Sequence, residues 1–104
     1  MVTPPPRSPV PHRFQGKVAL VTGGTNGIGH AIALELLREG AAVVVTGLPT
    51  DAEEGRRAFA AAGFDPLIVA GDMSDEAFCR RVVAATLERH GRIDALVNNA
   101  FSFV

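Results

Sequence analysis

From residue 17 the chain alternates between two kinds of apolar spacing. Four short runs, "KVALVTGG", "AAVVVTG", "PLIVAGD" and "IDALVNNA", are rich in aliphatic and β-branched residues, and their apolar parts lack polar alternation. That is the pattern of a strand covered on both faces, as inside a parallel sheet. Between them lie longer stretches with helical spacing. In "NGIGHAIALELLREG", Ile28, Ile32 and Leu36 share one face at i+4 intervals, and Gly40 stands where a left-handed residue would end the helix. A second helix is expected from Thr50, because "TDAE" supplies a capping box with Glu53, because Asp51, Glu53 and Glu54 suit the positive end of a helix, and because Gly63 can close it. The third, "SDEAFCRRVVAATLERHG", would be capped by Ser74, turn Phe78, Val82 and Thr86 inward, and stop at Gly91.

The predicted order is therefore β, α, β, α, β, α, β. Strands that alternate with helices belong to the α/β class, with a parallel sheet covered on both faces, and right-handed crossovers leave few topologies; the one expected is a doubly wound, Rossmann-like sheet that ends after its fourth strand. Before this pattern comes "MVTPPPRSPVPHRFQG", rich in proline and without the apolar stretch of a signal peptide. Residues 1–13 read as a disordered leader, with a proline-recognition segment as the alternative, and residues 14–104 as one domain.

Three of the four glycines in "TGGTNGIG", Gly23, Gly27 and Gly29, carry the signal where the first strand feeds the first helix. Helix N-termini present free backbone N–H groups, so the expected guest at this turn is an anion. Gly23 would permit the turn, Gly27 the close approach of a diphosphate, and Gly29 the close packing of helix on strand. A nucleotide triphosphate loop is disfavoured, because His30 and Ala31 follow the last glycine instead of Lys and Ser or Thr.

Composition narrows the classes. Apolar residues make up 47% and charged residues 20%, with a net charge of -1, a balance that gives no footprint for nucleic acid or an anionic membrane. No run approaches 18 apolar residues, so no membrane span is expected and the cytoplasm is the default location. The single cysteine, Cys79, allows no internal disulfide, and His12, His30 and His90 have no metal-ligand spacing. No metal site is expected.

Taken together, "TGGTNGIG", Asp72 after the third strand and "NNA" closing the fourth resemble the short-chain dehydrogenase/reductase family, in its compact TGxxxGIG form. The resemblance runs from about Phe14 to Ala100 and covers only the first part of a family domain. It implies that Gly23, Thr25, Asn26, Gly27, Ile28 and Gly29 line the adenosine and diphosphate half of NAD or NADP. It further implies that Leu48 lies at the end of the second strand beside the ribose, that Asp72 and Met73 meet the adenine, and that Asn99 and Ala100 reach the ribose region. Asn98 would stabilise the sheet. The substrate of a full-length parent would be a small alcohol or carbonyl compound, and a homo-oligomer would follow by family analogy.

Three departures stand out. At the end of the second strand, Gly47 and Leu48 supply neither the acid that binds NAD ribose hydroxyls nor the arginine that meets the NADP phosphate, so the choice of dinucleotide stays open. Phe101 replaces the glycine of the family's NNAG, and Phe101 and Phe103 read as packing residues. The family's catalytic tyrosine, its YxxxK lysine and its serine have no counterpart: there is no tyrosine, the only lysine is Lys17 before the first strand, and Ser102 comes too early for the serine role. No catalytic residue is assigned. Two readings follow: the dinucleotide-binding fragment of an oxidoreductase, inactive by itself, or a non-catalytic nucleotide-binding or interaction module.

Overall fold

A computed structural model describes residues 10–100. The expected "AFSFV" packing residues Phe101 and Phe103, with Ser102, lie outside the described residues, as do residues 1–9 of the leader. Four strands and three helices alternate as β1 Val18–Thr22, α1 Gly27–Arg38, β2 Ala42–Gly47, α2 Pro49–Ala61, β3 Leu67–Ala70, α3 Glu76–His90 and β4 Ala95–Asn98. The sheet is parallel with the order β3-β2-β1-β4, and register runs Leu20↔Val44 and Leu20↔Leu96 across its centre. Every crossover is a helix, as parallel neighbours require.

Buried side chains alternate between the two faces of the sheet, which explains the unbroken apolar runs. On one face Val21, Val43 and Val45 pack with Ala33 of α1 and Phe59 of α2; on the other Leu20 and Val44 pack with Phe78 and Val82 of α3. All five residues of β1 are buried, whereas β4 is largely exposed. The chain order reverses between β1 and β4. In doubly wound sheets the ligand crevice opens there, beyond the carboxyl ends of the strands.

Two caps differ from expectation. Helix α2 begins at Pro49 with Leu48 as N-cap and makes no side-chain capping bond, so the Thr50–Glu53 box does not form. Proline at the first helical position needs no hydrogen-bond acceptor and has a preset φ, which moves the start upstream, and Glu53 pairs instead with Arg56 and Arg57. In α3 the cap is Asp75, whose carboxylate accepts from the Ala77 N–H at 3.0 Å, while Ser74 turns back to Asp72. Gly91 closes α3 at φ 76°, and Phe78, Val82 and Thr86 are buried as expected.

Helix α1 meets the core through Gly29 and Ala33. Ile28, Ile32 and Leu36 do share a face, which runs from the exposed Ile28 to Leu36, partly buried against the core. With Phe14 they line a shallow apolar groove, and Ile28 is 74% exposed. Upstream, Val10 and Arg13 bond the Glu39 carboxylate, and the Phe14 N–H reaches the Glu39 carbonyl at 2.9 Å. None of the described helices is long and apolar enough to cross a membrane.

Candidate functional site

Beyond Thr22 the chain must reverse from strand to helix within four residues. Gly23 and Gly27 make this reversal at φ 65° and 60°, a region that side chains with a Cβ rarely enter. Gly29 is required for a different reason. A Cβ there would collide with the Gly23 carbonyl oxygen and come within 2.6 Å of Asn99 Nδ2, so the first turn of α1 lies directly against the strand end.

Threonines hold this turn in place. The Gly23 N–H donates to Thr46 Oγ1 at 3.1 Å and the Gly24 N–H to the Thr46 carbonyl at 2.9 Å, tying the turn to β2. From β1, the Thr22 hydroxyl donates toward Asn98 Oδ1 at 3.2 Å and accepts the N–H groups of Asn99 and Ala100 at 2.9 and 3.1 Å. Asn99 Nδ2 completes the link by donating to the Gly23 carbonyl at 3.3 Å. The ends of β1, β2 and β4 thus form one bonded rim. Asn98 serves the sheet, as expected, and Asn99 bridges to the glycine turn. Thr22 and Thr46 were not identified from the sequence; the available signal was a threonine that directly precedes a glycine at the end of each of the two most buried strands.

The rim leaves a receptive helix end. Asn26 stands at the N-cap without a side-chain bond to the helix, and no acidic residue occupies the first turn of α1. A Cβ at Gly27 would meet nothing within 4 Å, so the space outside the turn is open. Free N–H groups, an uncompensated positive helix end and open space together suit the oxygens of a diphosphate. The residues present therefore fit the phosphate part of a dinucleotide.

The remaining expected site residues are dispersed around this rim. Asp72 follows β3 and is exposed; its Oδ1 accepts both the N–H and the hydroxyl of Ser74, at 2.9 and 2.8 Å. These bonds, the backbone one foremost, hold its carboxyl below the ordinary carboxylate range, so it is anionic at neutral pH. Met73 is half-buried against the α3 core, and its carbonyl accepts from the Cys79 thiol at 3.1 Å. Leu48 is exposed at the start of α2. Thr25 is 6% exposed and meets Gly47 of β2 and Gly55 of α2, so its side chain is a packing element. Ile28 belongs to the outer groove. Lys17 precedes β1 and lies at the opposite end of that strand from the rim.

Residues 17–101 match the family model described as short chain dehydrogenase. General stress protein 39 of Bacillus subtilis is 42% identical over 90 residues, which cover 85% of this chain and 32% of that protein. The apo-form glucose dehydrogenase of Caenorhabditis elegans superposes with a TM-score of 0.79 at 40% identity, covering 88% of this chain and 40% of that one. A short chain dehydrogenase from Burkholderia cenocepacia, solved in complex with NADP, gives 0.79 at 41% identity, covering 88% and 38%. The chain thus spans about a third of the length of the curated relatives it matches.

Proposed function

This chain belongs to the short-chain dehydrogenase family, and from that premise we propose that its rim holds the adenosine and diphosphate half of NAD or NADP for an oxidoreductase acting on an alcohol or carbonyl substrate. The observation that carries the proposal is the bare N-terminus of α1 behind the glycine turn, open at Gly27 and bonded through Asn99 to the end of β4. When bound, the nicotinamide ring supplies or accepts the hydride.

In this reading the first-turn N–H groups of α1 take the diphosphate, while Asn26 and Ile28 flank the approach. Asp72, kept ionised and oriented by Ser74, accepts from the adenine amino group beside Met73, and Leu48 lies near the adenosine ribose. Asn99 and Ala100, fixed by the Thr22 hydroxyl, border the ribose nearer the nicotinamide. Thr25 acts from beneath, by packing. The acid–base group that would move the substrate proton is not among these residues, which contain no tyrosine. Residues 14–104 as the dinucleotide-binding unit, a cytoplasmic location and assembly with further copies belong to the same proposal and rest on the family resemblance.

The test is calorimetric titration of the chain with NAD and with NADP, repeated on Gly27→Val. Saturable binding is expected in the parent and at least about tenfold weaker binding in the variant, whose side chain enters the diphosphate approach. Gly63→Val is the control, since Gly63 also has a positive φ and open surroundings but lies at the far end of α2. It should lose comparable stability and keep its affinity. Equal affinity in all three proteins would sink the glycine-turn assignment.

A further inference from the structure

The carboxyl end of β2 is closed by a glycine whose missing side chain has an identifiable occupant. A Cβ built at Gly47 would overlap Thr25 Cγ2 and Oγ1 and lie 2.9 Å from Thr25 Cβ. All three nearest atoms belong to one nearly buried side chain. Gly55, in the second turn of α2, faces the same threonine, with a built Cβ 2.8 Å from Thr25 Cβ and 3.0 Å from Cγ2. Turning Thr25 about χ1 would move its hydroxyl and methyl but leave its Cβ in place, and a β-branched residue has few alternative wells. A threonine at position 25 and any side chain at position 47 therefore exclude each other.

The end of β2 is also where a doubly wound sheet places the acid that binds the ribose hydroxyls of NAD and repels the extra phosphate of NADP. We propose that Thr25 is a positioning residue that sets dinucleotide specificity. By filling the space over Gly47 it keeps the end of β2 free of a carboxylate, and so leaves the adenosine end of the crevice open to NADP as well as to NAD. This inference rests on the dinucleotide reading above and assigns Thr25 a role that contact with the ligand would not reveal. It also accounts for Gly47 and Gly55 together: both yield to the same threonine, which joins the glycine turn to β2 and to α2.

The experiment is a double-mutant cycle on the full chain, with Gly47→Ala, Thr25→Gly and the pair T25G/G47A followed by thermal unfolding. Gly47→Ala should lower Tm by about 5 °C or more in the parent and by less than about 2 °C in the Thr25→Gly background. A Gly47→Ala protein that fails to fold while the double variant folds is the same result in stronger form. Equal shifts in the two backgrounds, or a double variant that fails where Thr25→Gly folds, would overturn the steric exclusion. The specificity role is read separately, by titrating the parent and T25G/G47D with NAD and with NADP. The double variant should shift the ratio of the two dissociation constants toward NAD by at least about tenfold, which a purely structural role would not do. An unchanged ratio overturns the specificity role even when the cycle is coupled. A parent that binds neither dinucleotide, with the coupling intact, overturns the dinucleotide reading and the specificity role together while the packing relation stands.

Discussion

Thr22 concentrates more of the rim in one atom than any glycine does. Its Oγ1 accepts two backbone N–H groups from the segment after β4 and donates into β4 itself, linking residues 76 to 78 positions apart. Thr22→Val keeps the shape and removes that oxygen, leaving the Asn99 and Ala100 N–H groups without their acceptor. A loss of about 1–3 kcal/mol is expected from the urea midpoint, with Thr22→Ser close to the parent. A Val variant as stable as the parent would show that water replaces the hydroxyl. The three glycines of the turn were legible in the sequence, because a positive φ and a close approach both exclude a Cβ and glycine is the residue that lacks one. Thr22 and Thr25 were not legible in these roles. A threonine closing an apolar run looks the same whether its hydroxyl faces solvent, a ligand or a strand from the far end of the chain.

At the scale of elements, β1 and β4 are aligned by a clamp at the end opposite the crevice. The Asp94 N–H donates to the Val18 carbonyl at 2.8 Å, and the Asp94 carboxylate accepts the Val18 N–H at 2.8 Å and the Arg92 guanidinium. Arg92 foremost, then the Val18 N–H, holds the Asp94 carboxyl below its ordinary range. A carboxyl depressed in the folded state adds stability that is complete above the unfolded-state value, about pH 4, and is lost as pH falls through the lower folded-state value. Asp94→Asn should therefore be less stable than the parent at pH 7, with the gap narrowing below about pH 4 in urea titrations at stepped pH. A gap that stays constant to pH 2.5 would show that the charge is not what aligns the strands. The order and type of every element followed from hydrophobic spacing, but both predicted caps, Thr50 and Ser74, were displaced. Helix starts are decided among adjacent residues: Pro49, with its preset φ, begins α2 ahead of Thr50 and leaves Leu48 at the N-cap, and Asp75, next to Ser74, takes the cap of α3 by accepting from the Ala77 N–H.

For the whole molecule, the consequential surface lies along β4. It is the last strand of the sheet among the described residues, and Leu96 is 62% exposed beside the buried Leu20. An exposed apolar strand at a sheet margin favours pairing with another chain. In the chain as it stands, Leu96→Lys should reduce concentration-dependent association in sedimentation or light scattering while leaving the unfolding midpoint within about 0.5 kcal/mol. Unaltered association would assign it to another face, such as the outer groove of α1.

The sequence by itself determined the alternation of strand and helix, the parallel sheet, the glycine turn and the family resemblance. These depend on side-chain period, on φ preferences and on residues close together in the chain, all of which are readable without knowing what packs on what. Only the tertiary structure decided that α1 buries Gly29 and Ala33 fully and leaves Ile28 exposed, because two stripes of similar hydropathy compete and the closer approach goes to the smaller residues. It likewise decided that Thr25 packs on Gly47 and Gly55 and that Thr22 joins β1 to β4. Those contacts arise when segments distant along the chain come together, and spacing within one segment carries no record of them.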